Sequence, residues 1–261
     1  MNTPSVQTLS PVLSNDAVLP DVRLLWLEAP EIAGIAQPGQ FVMIRCAGGT
    51  LLRRPLSIFR QSADKTRLAF LMAVVGRGTA WLAEIEPGDL LDLRGPLGNG
   101  FSVSPGTKNA VLVAGGLGVA PLGFLADELA ALGVRATFLY GAASSRLLCP
   151  DHILPKGAEY VFATDDGSRG RQGFITSYLP EYLIEETSLF ACGPTPMYRA
   201  LTRLDALRDR ETQVSLEIRM ACGLGVCYGC TVNTRQGLKQ VCKHGPVFML
   251  HDVLWDELAD I

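Results

Sequence analysis

The sequence predicts a multi-domain fold with α+β and α/β parts: an antiparallel β-barrel or sandwich, then a parallel-sheet domain, then a small cysteine-rich domain. Three observations lead to this prediction. Short strand-like runs separated by Pro-Gly turns fill the first segment, strands alternate with helices in the second, and four closely spaced cysteines stand in the third. We place the domains at residues 1–104, 105–212 and 213–261.

The first segment contains short apolar or alternating runs at a regular spacing. They are Val22–Leu27, Phe41–Cys46, Leu68–Val74 and Leu90–Leu93. Turns at Pro38-Gly39 and Pro87-Gly88 separate such runs, a pattern typical of a small barrel or sandwich. One helix is predicted over Ala80–Ile85, with Thr79 as its N-cap.

The second segment alternates between strands and helices, which indicates a parallel sheet. The predicted strands are Ala110–Val113, Thr137–Tyr140 and Leu189–Ala191, and the predicted helices are Leu122–Leu132 and Pro196–Leu207. Gly133 is expected to end the first helix and Thr195 to cap the second, with proline at its first position.

Four cysteines in the third segment have the spacing C-x4-C-x2-C-x11-C; they are Cys222, Cys227, Cys230 and Cys242. This is the plant-type ferredoxin arrangement, so we predict a [2Fe–2S] cluster. A structural zinc site, the alternative, more often uses two C-x2-C pairs. Gly223, Gly225 and Gly229 are expected to allow positive φ, so that backbone N–H groups point at the sulfur atoms. The third segment is short and is expected to depend on the cluster for stability.

Composition excludes several classes of protein. Hydrophobic residues make up 48% of the 261 residues and the net charge is −3, which favours packed domains and disfavours nucleic-acid or membrane-surface binding. The uncharged stretch 109–126 holds four glycines and Pro121, so we interpret it as strand–turn–helix and not as a membrane span. No secretory signal is visible, and Cys46, Cys149 and Cys192 have no evident partners, so we expect a cytoplasmic protein.

Two turns of the second segment are candidate nucleotide sites. Gly115–Pro121 follows a strand and opens a helix, as a phosphate-binding turn does, but Pro121 replaces the third glycine of the Rossmann fingerprint. A tight connection without a ligand is the alternative. Cys192–Pro194 lies at the end of a predicted strand, where open α/β sheets bind ligands. For Cys192 alone, a small buried hydrophobic side chain is the other interpretation.

Candidate anion contacts also occur in the first segment. Arg53–Ser57 combines arginines, which can pair with a pyrophosphate, and a serine that can reach a ring edge. An edge strand with exposed arginines would have the same residues. Gly78-Thr79, near a predicted helix N-terminus, is a second candidate.

Taken in order along the chain, five motifs resemble those of the ferredoxin–NADP reductase superfamily. They are Arg54–Ser57, Gly76–Thr79, Gly95–Phe101, Gly115–Pro121 and Cys192–Pro194. With the C-terminal cysteines and the stretch Val241–Phe248, nearly the whole chain resembles the electron-transfer subunits of NAD-linked (class 1B) dihydroorotate dehydrogenase. Each turn alone is common, and their order together with the cysteine spacing makes the resemblance specific.

The resemblance implies an FAD-binding β-barrel, an NAD-binding α/β domain and a [2Fe–2S] domain. The implied flavin contacts are Arg54 on the pyrophosphate, Pro55, Leu56, Ser57 near the isoalloxazine, Leu71, Met72, Ala73, and Gly78 with Thr79 on phosphate. The implied nicotinamide contacts are Gly116, Gly118, Cys192, Gly193 and Pro194. Leu56 stands where many members of the superfamily carry tyrosine, so that aromatic contact with the flavin is absent here.

The resemblance also implies a function in pyrimidine biosynthesis. Such a chain relays electrons from an FMN-containing dihydroorotate dehydrogenase catalytic subunit, with which it forms a hetero-oligomer, through [2Fe–2S] and FAD to NAD⁺. We assign no catalytic residue to this chain, because His152, His244 and His251 show no partner pattern and substrate oxidation is expected on the other subunit. The apolar side chains of Phe248–Trp255 are expected either to dock that partner or to pack the C-terminal core.

Two alternatives remain open from the sequence. One is a flavin and [2Fe–2S] NAD(P)H reductase that serves a sulfide dehydrogenase, a hydrogenase or an oxygenase. The other is a non-redox module with zinc at the cysteines. The choice between NAD and NADP also stays open, since Ser144–Arg146 could contact a 2′-phosphate or form a solvated loop.

Overall fold

The computed structural model describes residues 5–47 and 49–258, and its first part is a closed barrel of six antiparallel strands. The strands are β1 (Val6–Leu19), β2 (Val22–Glu28), β3 (Phe41–Ile44), β4 (Arg54–Gln61), β5 (Arg67–Ala73) and β6 (Leu90–Leu97). Their order around the barrel is β1-β2-β5-β4-β3-β6, and β6 closes it against β1. The prediction of a barrel is confirmed, and the sandwich alternative is not formed.

Two short helices, α1 (Pro30–Ala33) and α2 (Arg77–Ala83), accompany the barrel strands. The predicted helix at Ala80–Ile85 starts too late, and the prediction that Thr79 caps it is wrong. Gly76 precedes the first helical residue, and Thr79 lies inside the first turn. The Thr79 hydroxyl accepts hydrogen bonds from the backbone N–H groups of Val75 and Gly76 at 2.9 and 3.1 Å. Thr79 therefore accepts hydrogen bonds from the two residues before the helix, although it lies inside the first turn itself.

A seven-stranded sheet forms the second layer, with the strand order β10-β9-β8-β7-β11-β12-β15. The strands are β7 (Asn109–Gly115), β8 (Arg135–Ala142), β9 (Ala158–Thr164), β10 (Arg171–Gln172), β11 (Thr187–Cys192), β12 (Thr212–Ser215) and β15 (Val247–Met249). All pairs are parallel except β12 with β15. The predicted parallel sheet is confirmed, and its strands extend beyond the predicted ends.

The two longest α-helices of the described residues flank this sheet: α3 (Val119–Ala131) and α4 (Thr195–Thr202). Helix α3 begins three residues earlier than predicted, because Pro121 fits the first turn, where its missing N–H has no helical partner. Helix α4 ends earlier than predicted, and a separate 3-10 turn follows at Asp205–Leu207. Within the described ranges, no helix is both long and apolar enough to span a membrane.

The C-terminal segment is shared between the sheet and a small subdomain. The subdomain contains the hairpin β13 (Thr231–Thr234) and β14 (Gly237–Gln240) and the short helix α5 (Val241–His244). Strand β12 pairs with β11, and β15 adds antiparallel to β12, with Gln213 opposite Met249. The division predicted between residues 212 and 213 therefore cuts through β12.

The barrel and the sheet domain meet where α3 crosses β4. The ring of Phe59 fills the space beside Gly123, leaving no room there for a β-carbon. Next to this contact, Arg60 forms an ion pair with Asp127 and donates a hydrogen bond to the Ile153 carbonyl at 3.3 Å. Burial raises the pKa of Asp127, and the guanidinium of Arg60 offsets part of that effect. Strand β4 is thus packed directly against the second domain.

Candidate functional site

The motif Arg54–Ser57 opens β4, between β3 and β5 in the barrel. Arg54 is half-buried and its guanidinium lies over Gly78 of α2, where a β-carbon would fall 2.8 Å from the guanidinium carbon. Two candidate anion contacts that are distant in sequence are therefore side by side. A guanidinium beside the first turn of a helix suits a phosphate group, so this part of the barrel fits the pyrophosphate of a dinucleotide.

The predicted residues on β5 point in different directions, because side chains alternate along a strand. Met72 is 1% exposed and packs inside the barrel core with Leu25 and Phe70. Leu71 faces outward and packs with residues of the sheet domain. Only the backbone of Met72 can therefore contact a ligand bound outside the barrel, and the flavin roles of Leu71, Met72 and Ala73 stay predictions.

A cavity of about 670 Å³ lies at the carboxyl ends of the parallel strands. Its walls include the turn after β7, from Gly115 to Gly118, and the chain from Gly193 to Tyr198 after β11. These two turns touch each other: Gly118 lies so close to the Cys192 carbonyl that no β-carbon fits between them. This is the sheet edge at which open α/β domains bind ligands, and the volume suits a nucleotide.

Cys192 itself lies behind the cavity wall. Its side chain is fully buried, next to Tyr198 and Ser215. Burial, with a smaller contribution from the nearby Glu217 carboxyl, raises the pKa of the thiol well above its ordinary value. The structure thus gives Cys192 the surroundings of a buried neutral side chain, while its backbone and that of Gly193 form the turn.

The sequence reasoning missed two acidic residues on the cavity wall, Asp165 and Glu217. Asp165 follows the end of β9, and Glu217 lies two residues past β12, so both stand at the edge where ligands bind. The Glu217 side chain is exposed to solvent at the cavity, and desolvation by the protein atoms around its carboxyl raises its pKa. Because ligands bind at the carboxyl ends of the strands, both residues could be identified only once the ends of β9 and β12 were known. No lysine or arginine lines the cavity in the described part of the chain.

The loop that carries three of the four cysteines lies against the barrel. Gly223 and Gly225 have positive φ of 69° and 75°, as expected. Gly229 does not have a positive φ, and the preceding Tyr228 has φ 60° instead. The tight loop aims amides at sulfur: Gly225 N lies 3.1 Å from Cys242 Sγ and Leu224 N lies 3.3 Å from Cys222 Sγ. Such N–H···S contacts stabilise thiolate ligands.

The four thiols lie in two neighbouring pairs, Cys222 with Cys227 and Cys230 with Cys242. Burial disfavours the Cys222 thiolate, but the backbone N–H groups around it lower its pKa to about 6. Burial, and then the neighbouring Cys230, raise the pKa of Cys242 to about 12. Across residues 5–47 and 49–258, no three His, Cys, Asp or Glu side chains are arranged to hold one metal ion. Four cysteine thiols can ligate a two-iron cluster or a zinc ion, and the C-x4-C-x2-C-x11-C spacing is that of the cluster.

Two protein family models match the chain. The oxidoreductase FAD-binding domain matches residues 10–101, which span most of the barrel. The iron–sulfur cluster binding domain of dihydroorotate dehydrogenase B matches residues 217–254, which include the four cysteines. An FAD-binding domain and an iron–sulfur domain are therefore present.

Full-length relatives and solved structures extend this similarity. The chain is 41% identical to the dihydroorotate dehydrogenase B (NAD(+)) electron transfer subunit of Desulforamulus reducens, over 94% of this chain and 97% of the relative. It is 35% identical to the subunit of the same name from Bacillus mycoides, over 93% and 96%. An NADH-dependent reduced ferredoxin-NADP oxidoreductase structure superimposes with a TM-score of 0.84 at 30% identity, covering 96% of this chain and 91% of that one. A ferredoxin NADP+ reductase from Neisseria gonorrhoeae shares the fold, with a TM-score of 0.62 at 19% identity over 78% and 91%.

Proposed function

The chain belongs to the family of dihydroorotate dehydrogenase B electron transfer subunits, and we propose that it passes electrons between a separate dihydroorotate-oxidising subunit and NAD⁺. One observation carries this proposal: β4 lies between the cysteine loop and the cavity domain. On one side, Pro55 of β4 pairs with Met43 of β3, and a β-carbon on Gly223 of the cysteine loop would fall 2.6 Å from Met43 Cγ. On the other side, Phe59 of the same strand packs against α3.

The barrel residues around β4 would hold FAD. Arg54 would pair with the pyrophosphate beside Gly78 and Thr79, while Ser57, further along β4, would face the ring system together with Pro55. The side chain of Leu56 packs in the barrel core, so Leu56 would offer only its backbone. Cys222, Cys227, Cys230 and Cys242 would ligate a [2Fe–2S] cluster. When bound, FAD exchanges a hydride with nicotinamide and passes single electrons to and from the cluster. The residues of this chain would position these groups relative to one another.

The cavity would bind NAD. Gly116, Gly118, Gly193 and Pro194 present backbone at its wall, so a flat ring can approach closely. Its two charged lining residues, Asp165 and Glu217, are acidic. A 2′-phosphate would meet no cation there, and carboxylates can instead accept hydrogen bonds from ribose hydroxyls. The cavity therefore favours NAD over NADP. Arg146, a candidate phosphate contact, is exposed and does not line it.

The partner would dock on the cysteine loop. Cys227 is exposed, and the neighbouring Val226 and Tyr228 are 72% and 70% exposed. Exposed apolar side chains beside a redox centre suit a protein interface, and a short path for electrons requires the partner to contact this loop. Most of the apolar stretch Phe248–Trp255 instead packs the core, with Leu250, Val253 and Trp255 buried. The buried, unpaired Cys46, Cys149 and Cys192 suit a reducing cytoplasm.

The second candidate function is an NADH reductase that delivers electrons to a different acceptor. The TM-score of 0.84 to the reduced ferredoxin-NADP oxidoreductase structure favours it as the alternative, because that protein shares the whole architecture. Fold and cofactors are the same in both cases, so only the partner distinguishes them.

The test is reconstitution with an FMN-containing dihydroorotate dehydrogenase catalytic subunit. NAD⁺ reduction by dihydroorotate is measured with the two chains together and apart, and with the Cys227→Ser variant in place of the native chain. Activity that requires both native chains supports the proposal. If mixing yields no activity while the chain alone oxidises NADH with ferricyanide, the partner assignment is wrong and the alternative reductase function stands.

A further inference from the structure

Tyr198 joins two walls of the nucleotide cavity. It lies in the first turns of α4 and is 1% exposed. Its hydroxyl accepts a hydrogen bond from the Gly193 N–H at 3.0 Å and donates one to the Ser215 carbonyl at 2.6 Å. Gly193 belongs to the turn after β11, and Ser215 ends β12, just before the cavity residues Leu216 and Glu217. One phenol thus sets the spacing between these two segments.

The Cys192–Pro194 turn depends on the Tyr198 hydroxyl because its own side chains make few contacts that could fix its backbone. Gly193 has none, and a β-carbon there would fall 2.6 Å from the Met197 methyl carbon, so backbone packing is tight. Burial raises the pKa of the Tyr198 phenol well above its ordinary value. The hydroxyl therefore keeps its proton, and it donates to Ser215 while accepting from Gly193 throughout the working pH range.

Trp255 supports Tyr198 from behind. The two rings stack with centroids 4.4 Å apart and an interplanar angle of 21°. The indole N–H donates to the Leu250 carbonyl at 2.7 Å, and the Trp255 carbonyl accepts a hydrogen bond from Arg199 Nε at 3.2 Å. Trp255 is 5% exposed. Its ring is therefore held by the stack and by its own N–H, and its backbone is held by Arg199, the residue after Tyr198 in α4.

Trp255 comes from the part of the chain that holds the cysteines. Residues 217–254 form the iron–sulfur domain match, and Trp255 follows it directly. The Leu250 N–H donates to the Thr212 carbonyl at 2.8 Å, which ties this stretch to the start of β12. A side chain from the end of the cysteine segment therefore packs behind the wall of the nucleotide cavity.

We propose that Tyr198 is a positioning residue that holds the Cys192–Pro194 turn for nicotinamide binding, and that Trp255 positions Tyr198 in turn. This inference rests on the proposed function, because it assumes that the cavity binds NAD. Tyr198 lines the cavity with its hydroxyl bonded to Gly193 and Ser215, and Trp255 does not line it. Each acts through the backbone of Gly193, whose N–H would lose its partner if the phenol moved.

The decisive variant is Tyr198→Phe, which keeps the stacked ring and removes both hydrogen bonds. The matched control is Tyr160→Phe, a phenol of the same domain that donates to the Pro155 carbonyl at 2.8 Å, away from the cavity. The holoprotein is used for two measurements: amide hydrogen exchange at Gly193 and the Kd for NAD⁺ by calorimetry. In Tyr198→Phe we expect exchange at Gly193 to be about tenfold faster and the Kd to rise about tenfold, as loss of one buried hydrogen bond predicts. Tyr160→Phe should change neither.

Trp255→Leu removes the stack, and it should raise both the exchange rate at Gly193 and the Kd for NAD⁺ by about three- to tenfold. If Trp255→Leu does not fold, Trp255→Phe decides, with a smaller change of the same sign. Native exchange and native Kd in Tyr198→Phe, even with a lower melting temperature, overturn the proposal. If the Trp255 variant has the native exchange rate at Gly193 and the native Kd for NAD⁺, the proposed role of Trp255 is wrong. If the native protein itself fails to bind NAD⁺, the proposed function fails and not this inference alone.

Discussion

The guanidinium of Arg54 lies directly over Gly78, 2.8 Å from the point where a β-carbon would stand. The contact brings β4 and α2 together at the place where the barrel would bind the flavin pyrophosphate. We predict that Gly78→Ala displaces the guanidinium without unfolding the chain, because a flexible side chain can move aside. Alanine in a helix otherwise stabilises by about 1 kcal/mol relative to glycine. The expected result is a native-like melting temperature with reduced flavin content, measured by absorbance after gel filtration.

Gly76→Ala is the matched control for that change. Gly76 has extended backbone with φ −173°, and nothing lies within 4 Å of a β-carbon built there. It should retain full flavin. Equal flavin loss in both variants would show that α2 needs glycine for another reason.

Removal of the cluster should separate two activities. We predict that Cys227→Ser loses iron and acid-labile sulfide and stops electron transfer to the partner subunit. NADH oxidation with ferricyanide should stay near the native rate, since the barrel and the cavity contain no cluster ligand. Cys46→Ala, which removes a buried thiol inside the barrel core, is the control and should keep its iron. Loss of both activities in Cys227→Ser would mean that the cluster is required for the whole chain to fold.

Burial of Asp127, which the ion pair with Arg60 only partly offsets, should make stability depend on pH in a direction unusual for a carboxyl group. The folded-state pKa of Asp127 is raised by burial above the value of about 3.9 in an unfolded chain. The stability that this group contributes is therefore complete below the unfolded value and is lost as pH rises through the folded pKa. The Asp127→Asn variant has no carboxyl group at this position, so its stability does not fall in this way as the pH rises. Its melting temperature relative to the native protein should be higher at pH 7 than at pH 4, and an offset that is equal at both values would contradict the pKa direction.

The acidic cavity wall predicts a preference for NADH. With no lysine or arginine among the described lining residues, a 2′-phosphate would be desolvated without a partner. We expect kcat/KM with ferricyanide to be at least about tenfold higher for NADH than for NADPH, equivalent to about 1.4 kcal/mol. Steady-state kinetics with both reductants measure this ratio, and a higher value for NADPH would reverse the assignment.

Much of the architecture could be predicted because it has local signals. Pro38-Gly39 and Pro87-Gly88 mark the barrel turns, and the uncharged run after Asn109 followed by glycines marks β7 and α3. The cysteine spacing marks the cluster loop without any knowledge of the fold. These features depend on backbone preferences and spacing, which a sequence displays directly.

The parts that were not predicted depend on contacts between distant segments. Strands β12 and β15 have four and three residues, too few to show a period, and their pairing is set by the sheet. In the sequence, Tyr198 and Trp255 look like ordinary core aromatics. Only the fold shows that the Tyr198 hydroxyl bonds the Gly193 N–H and that the Trp255 ring stacks on the Tyr198 ring. Asp165 and Glu217 became cavity residues only once the strand ends were known.

The antiparallel strand β15 joins the sheet domain and the iron–sulfur segment in one continuous sheet. A free-standing ferredoxin fused end to end onto a reductase would leave each partner with a complete sheet, so such modules could be exchanged by moving one stretch of gene. Here the edge strand β15 of the seven-stranded sheet comes from beyond the cysteines. Its removal would leave β12 as an unpaired edge strand, which is prone to aggregation. Any swap between relatives must therefore carry β12, the cysteine loop and β15 as one block.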